Sequence, residues 1–87
     1  MYSFIRAIKA LSDETRLRIL RVLMERECCV CEIMQALDIS QSRSSRNLSI
    51  LENAGYVKSK RDGLWTVHFI DVQNMEKYYG PLIGTIK

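Results

Sequence analysis

The chain has 87 residues, 47% of them apolar and 26% charged, with a formal net charge of +3. That supports one domain with a modest core, and no apolar run approaches the roughly 18 residues a membrane-spanning helix needs. The odd count of three cysteines does not make a closed disulfide framework. The N-terminal segment has neither a basic leader nor a signal core, which points to the cytosol.

Phe4, Ile5, Ile8 and Leu11 recur at helical spacing and predict a first helix with one apolar face. Ser12 is the expected N-cap of a second helix, with Asp13 and Glu14 in the turn where the helix dipole favours anions. Leu17, Ile19, Leu20, Leu23 and Met24 carry the helical period to about Arg26.

Glu27-Cys28-Cys29-Val30-Cys31-Glu32-Ile33 follows and holds every cysteine of the chain. Thiolates select soft ions, and a thiolate near a helix start is favoured by the dipole. In extended backbone Cys29 and Cys31 point one way and Cys28 the other. In a helix Cys28 and Cys31 share a face, with Cys29 turned away. No regular conformation brings all three together, so one ion held by three thiolates requires the segment to distort. A ligand that prefers the distorted state then drives a conformational change. Free cysteine is also a small buried hydrophobe, but clustering favours the chemical reading.

A short helix through Ile33, Met34 and Leu37 is expected to end near Asp38-Ile39. Ser40 is the predicted N-cap of the next helix, Gln41 to about Asn53, with an inward stripe of Ser44, Leu48 and Leu51. Gly55 suits a left-handed helix exit. The period then changes to 2: Tyr56–Lys60 and Leu64–Ile70 read as strands around an Asp62-Gly63 turn. Trp65, Val67 and Phe69 share one strand face, Thr66 and His68 the other. Met75, Tyr78 and Tyr79 predict a closing helix, stopped by Gly80-Pro81. The order α-α-α-α-β-β-α is mainly α with a small β-hairpin, a winged helix-turn-helix occupying residues 1–87 as a single domain.

Between Gln41 and Arg61 the chain carries Arg43, Arg46, Lys58, Lys60 and Arg61 against Glu52 alone, a distribution that fits a phosphate backbone. A recognition helix enters the major groove by its N-terminal end, so Gln41, Ser42, Arg43, Ser45 and Arg46 are the candidate DNA contacts. Arg46 can bind guanine and Gln41 adenine, while Ser42 and Ser45 fit phosphate or short base contacts. Lys58 and the wing tip, Lys60 and Arg61, are expected along neighbouring backbone or in the minor groove. One short helix specifies few bases, so a homodimer on two half-sites of double-stranded operator DNA is expected. Phe4, Ile8, Tyr78, Tyr79 and Leu82 are its expected surface.

Ala10 to Leu20 resembles the second-helix signature of ArsR/SmtB-type metal-sensing repressors, and Ile39 to Val57 resembles their recognition helix and exit. Arsenic, antimony, cadmium or lead sensors of that family carry a Glu-Leu-Cys-Val-Cys-Asp-Leu box where this chain has Glu27 to Ile33. The match carries Cys29 and Cys31 over as thiolate ligands. It implies a cytoplasmic homodimeric repressor that leaves its operator when the thiolates capture a metal or metalloid. The arsenic pattern often has a further cysteine where this chain has Met34, and Cys28 replaces the box leucine as the candidate third thiolate. Cadmium and lead sensors draw another cysteine from the N-terminal arm, which has none here. Zinc and nickel members use histidine on the last helix, and Asp71 to Glu76 has none.

Trivalent arsenic or antimony takes three sulfurs in a pyramid, which suits Cys28, Cys29 and Cys31 with no fourth ligand; other soft ions fit the same donors. Tetrahedral zinc wants a fourth, and the nearest donor type, His68, belongs to the wing and reads as a surface or packing residue. Two rival readings keep the fold. One is a repressor that senses oxidants or reactive sulfur through a cysteine pair. The other is a winged helix used for protein–protein contact, which would depend little on salt where a DNA reader depends steeply. No nucleophile–base pair, phosphate loop or hydrolase spacing suggests an enzyme.

Overall fold

Four helices and a hairpin make up most of the chain: α1 Phe4–Ala10, α2 Glu14–Glu25, α3 Val30–Leu37, α4 Gln41–Asn53, β1 Val57–Asp62 and β2 Trp65–Ile70. The computed structural model describes residues 4–76 and closes with a helical turn over 72–76. The predicted last helix begins in that turn, and Tyr78, Tyr79, Gly80, Pro81 and Leu82 lie outside the described residues.

α1 meets the core through its alanines and leaves the isoleucines, of which Ile8 was expected on a dimer surface, facing outward. Its buried residues are Ala7 and Ala10, while Ile5 and Ile8 stand 65% and 52% exposed. The small alanine face lets α1 lie close enough for the Tyr56 hydroxyl to donate to the Ala7 carbonyl at 2.9 Å. The next cap also shifts by one. Asp13, not Ser12, caps α2, its carboxylate accepting from Arg16 N at 3.0 Å. Ser12 instead donates its hydroxyl to Lys9 O at the end of α1. Within α2, Thr15, Ile19, Leu20 and Leu23 face the core, and Leu17 and Met24 are exposed.

α3 ends at Asp38, whose φ of 56° is left-handed, a conformation that asparagine and aspartate tolerate better than other side chains. The chain then turns through Ile39 to Ser40, whose hydroxyl accepts from Arg43 N at 3.2 Å. That is the predicted cap, and the predicted stripe lies beneath it: Ser44, Leu48 and Leu51 are buried, together with Asn47. Gly55 leaves the helix at φ 91°, where a side chain would be strained.

The two strands pair antiparallel from Val57↔Ile70 to Asp62↔Trp65. The two-residue loop is therefore Gly63–Leu64, one position later than expected. Positive φ occurs at Gly63 but not at Leu64, the pattern of a type II′ turn. Direct cross-strand pairs share a face, so Trp65, Val67 and Phe69 lie with Asp62, Lys60 and Lys58. The opposite face packs inward through Val57, His68 and Ile70. Ile19, Leu23, Ile33, Leu48, Leu51, Tyr56, Val57 and Cys28 form one buried cluster that joins helices to wing. Full burial of each large aliphatic side chain contributes roughly 1.5–3 kcal/mol. No helix among the described residues is long and apolar enough to cross a membrane.

Candidate nucleic-acid interface and thiol cluster

Two sets of side chains are built on this frame, one on α4 and the wing, the other where α2 passes into α3. Along α4, Gln41, Ser42, Arg43, Ser45 and Arg46 are all exposed, as the 3.6-residue period requires when Ser44, Asn47 and Leu48 turn inward. These five present one polar, cationic edge at the helix N-terminus.

The buried edge of α4 is fixed by a polar clasp. Arg16 donates from Nε to Ala10 O at 2.7 Å, from Nη2 to Lys9 O at 3.3 Å and from Nη1 to Asn47 Oδ1 at 3.0 Å. Asn47 passes the contact on, donating from Nδ2 to Arg43 O at 2.9 Å. One guanidinium thus ties the end of α1 and the start of α2 to the middle of α4. Arg43 closes a second link, its Nη2 donating to Thr15 Oγ1 at 2.9 Å. Arg43 is therefore half a structural residue, whereas Arg46 has no hydrogen bond or ion pair among the described residues.

The wing differs from expectation at its end. Its tip is Gly63–Leu64, with Leu64 91% and Trp65 60% exposed. Lys60 is held back from the tip by Glu27 at 3.3 Å and lies 5.4 Å over the Phe69 ring. Lys58 and Arg61 are exposed.

The three thiols occupy three different environments. Cys28 is wholly buried, Cys29 is half-buried as the N-cap residue of α3, and Cys31 is exposed in its first turn. Cys28 Sγ lies 3.7 Å from Arg26 O. Burial pushes its thiol up from the ordinary value, the Glu32 carboxylate adds to this, and Arg26 opposes it. Cys29 N donates to Glu32 Oε1 at 3.1 Å. That bond and the Cys29 thiol hold the Glu32 carboxyl below its usual range, and Arg26 stands 3.7 Å away. Among the described residues no group of three histidine, cysteine or acidic side chains converges on one point.

Sequence reasoning missed what Cys28 does with its backbone. It forms an isolated antiparallel bridge with His68 of β2. Cys28 N donates to His68 O at 3.0 Å, and His68 N donates to Cys28 O at 2.7 Å. His68 is the packing residue expected, but deeper: it is 9% exposed, and its Nδ1 is buried without a hydrogen-bond partner among the described residues. Burial lowers its pKa, with Glu52 pulling the other way. A single Val-His-Phe strand gives no local sign of a third strand docking on its outer edge.

Comparison with known proteins bears on both sets. The family described as "Bacterial regulatory protein, arsR family" matches residues 13–59, from the α2 cap to the middle of β1. An uncharacterised HTH-type transcriptional regulator of Methanocaldococcus jannaschii is 43% identical over 63 residues, 71% of this chain and 71% of that protein. The arsenical resistance operon repressor of Escherichia coli is 44% identical over 66 residues, 75% of this chain and 56% of the repressor. The cadmium resistance regulatory protein CadC of Listeria innocua is 43% identical over 63 residues, 71% of this chain and 53% of that protein. The chain thus spans about half the length of the latter two. Among solved structures, a homodimeric winged helix-turn-helix DNA-binding domain from Mycobacterium bovis superposes with a TM-score of 0.78 at 27% identity, covering 94% of this chain and 76% of that one.

Proposed function

This chain belongs to the arsR family of bacterial regulatory proteins, and from that premise we propose a metal(loid)-responsive transcriptional repressor, a regulator rather than an enzyme. It binds double-stranded operator DNA as a homodimer and leaves it when As(III) or Sb(III) is captured by Cys28, Cys29 and Cys31. One observation carries the reading: three unpaired cysteines span the joint from which α3 starts, and α3 is the first helix of the helix-turn-helix whose second helix is α4.

On the DNA side, Gln41, Ser42, Ser45 and Arg46 meet bases and phosphates in the major groove. Arg43 contributes what its bond to Thr15 leaves available, and Lys58, Lys60 and Arg61 face backbone beside the wing. Dimerisation, supported by the homodimeric Mycobacterium bovis domain, places two α4 helices on successive half-sites. Ile5 and Ile8, exposed on α1, offer apolar surface for it.

On the sensing side, the donor chemistry fits and the resting arrangement is not preformed. Relatives carry both arsenical and cadmium resistance in their names, and three clustered thiols suit the pyramidal three-sulfur ions. Arsenous acid exchanges its three As–OH bonds for three As–S bonds. Each thiol proton leaves with a hydroxide as water, so nothing is oxidised or reduced.

The test uses fluorescently labelled duplex selected by the protein from a random pool. Arsenite and antimonite should lower its anisotropy, and Cys29→Ser and Cys31→Ser proteins should bind the duplex normally yet hold it when arsenite is added. Normal release from both variants would defeat the reading. Release by peroxide with an intramolecular disulfide, and none by arsenite, would replace it with redox sensing; release by cadmium alone would change the ion.

A further inference from the structure

Glu27 and Cys28 connect α2 to α3 and also lie against the wing. Cys28 exchanges two backbone hydrogen bonds with His68, at 3.0 and 2.7 Å, and Glu27 is paired with Lys60 at 3.3 Å. The connector is thus a one-residue third strand on the outer edge of a sheet that otherwise has two. We propose that capture of the Cys28 thiolate unzips this third strand, so that the inducer acts on DNA through the wing, with His68 as the release point.

The inference rests on the proposed function, since it takes the three thiols as the ion's ligands, and it adds the route by which they act. Cys28 is 0% exposed and belongs to the core cluster, whereas Cys31 is exposed on the first turn of α3. With no three donors converging at rest, an ion reaching Cys29 and Cys31 gains Cys28 only when residue 28 turns outward. In extended backbone the register fixes which face a side chain occupies. Turning the side chain therefore turns both of its peptide groups, and those peptide groups make the two bonds to His68.

Two features make this bridge the weak joint. It is one residue long, with no neighbouring rung in either direction, while β1 and β2 pair over six residues each. The connector's other tie to the wing is the exposed Glu27–Lys60 pair, and exposed ion pairs contribute little. Once the connector leaves, Lys60 also loses its fixed Glu27. The hairpin itself survives, still packed on α2 and α4, but the connector no longer supports its outer edge, and the placement of Lys58 and Arg61 loosens.

Amide hydrogen exchange on the full chain, followed residue by residue with and without arsenite, tests this. The amides of His68 and Cys28 should exchange at least tenfold faster in the loaded protein. Those of Val67 and Phe69, which alternate toward β1, should keep their protection. In Cys28→Ser protein arsenite should still reach Cys29 and Cys31 and leave the His68 amide slow. The inference is overturned if the His68 amide is unchanged while arsenic–sulfur absorbance reports three bound thiolates, or if it quickens equally in Cys28→Ser. If no such absorbance develops in the unaltered protein, the proposed function falls, and this route with it.

Discussion

α4 is held at its cap, along its buried edge and at its exit, whereas the connector carrying the thiols is tied to the wing by one short bridge and one surface ion pair. Ser40 closes the first turn of α4, Arg16 and Asn47 fix its middle, and Gly55 releases it. The connector has the bonds between Cys28 and His68, with Glu27 to Lys60 beside them, and exposed ion pairs contribute little. On the proposed function the difference separates two tasks. A surface that reads bases has to be pre-organised, because any ordering cost on binding is subtracted from affinity. A segment that reports an ion has to have two arrangements of similar free energy, or no ligand of ordinary affinity could shift it.

The contrast can be broken most severely at the shared core. Leu51 is fully buried beneath α4, and Leu51→Ala should lower unfolding free energy by about 2–5 kcal/mol in urea titration. A loss well below this range would mean that α4 is not anchored as described. The next effect is on reading alone. Arg46→Ala should cost about 1–3 kcal/mol of specific binding and relax base preference at one position, without moving the urea midpoint. Arg43→Ala should lower stability as well, because it also removes the bond to Thr15. Competition binding beside urea melts distinguishes the two.

Smaller is the cap. Ser40→Ala should cost about 1 kcal/mol, and Ser40→Asp should restore most of it. Equal stability of all three proteins in thermal melts would remove the cap from the account of α4. Smallest is the acid response of the ligand-free protein. His68 has a folded-state pKa below its ordinary 6.5 because burial disfavours the cation. Between the two values the unfolded chain binds more protons, so this contribution is present above the ordinary value and is lost as pH falls through the folded one. Melts between about pH 7.5 and 5.5 should show that slope, and His68→Gln should flatten it.

The elements that repeat a period were legible from the chain. Ser44, Leu48 and Leu51 fall on one helical face, Ser40 announces a cap, and Gly55 announces an exit; all lie within one element or at its ends, where spacing determines direction. The winged helix and the exposed edge of α4 followed from them. In α1 the helical period is shared by Ile5 and Ile8 on one side and by Ala7 and Ala10 on the other, so spacing alone does not say which side meets the core. Hydrophobicity favours the first side and close packing the second. Asp13 took the cap from Ser12 because two adjacent residues both qualify, and Arg16 N lies within reach of the former.

What stayed illegible is contact between distant positions. Nothing near Arg16 signals that its fork will find Asn47, and nothing near Cys28 signals His68. The thiol cluster was visible as composition, but its division into a buried, a capping and an exposed cysteine follows from where α3 begins. Lys60 shows the same limit, since a basic residue near a turn reads as a wing contact until Glu27 and Phe69 are seen beside it.

The Arg16 fork also bears on how a chain of this kind could change its target. Its acceptors belong to Lys9 and Ala10 at the end of α1 and to buried Asn47, none of them on the exposed edge of α4. On the proposed function, exchanging Gln41, Ser42, Ser45 and Arg46 would therefore alter the letters recognised while the mounting angle of α4 stayed the same. New binding preferences would then be accessible by a few outward replacements, each tolerated by a frame that does not register them.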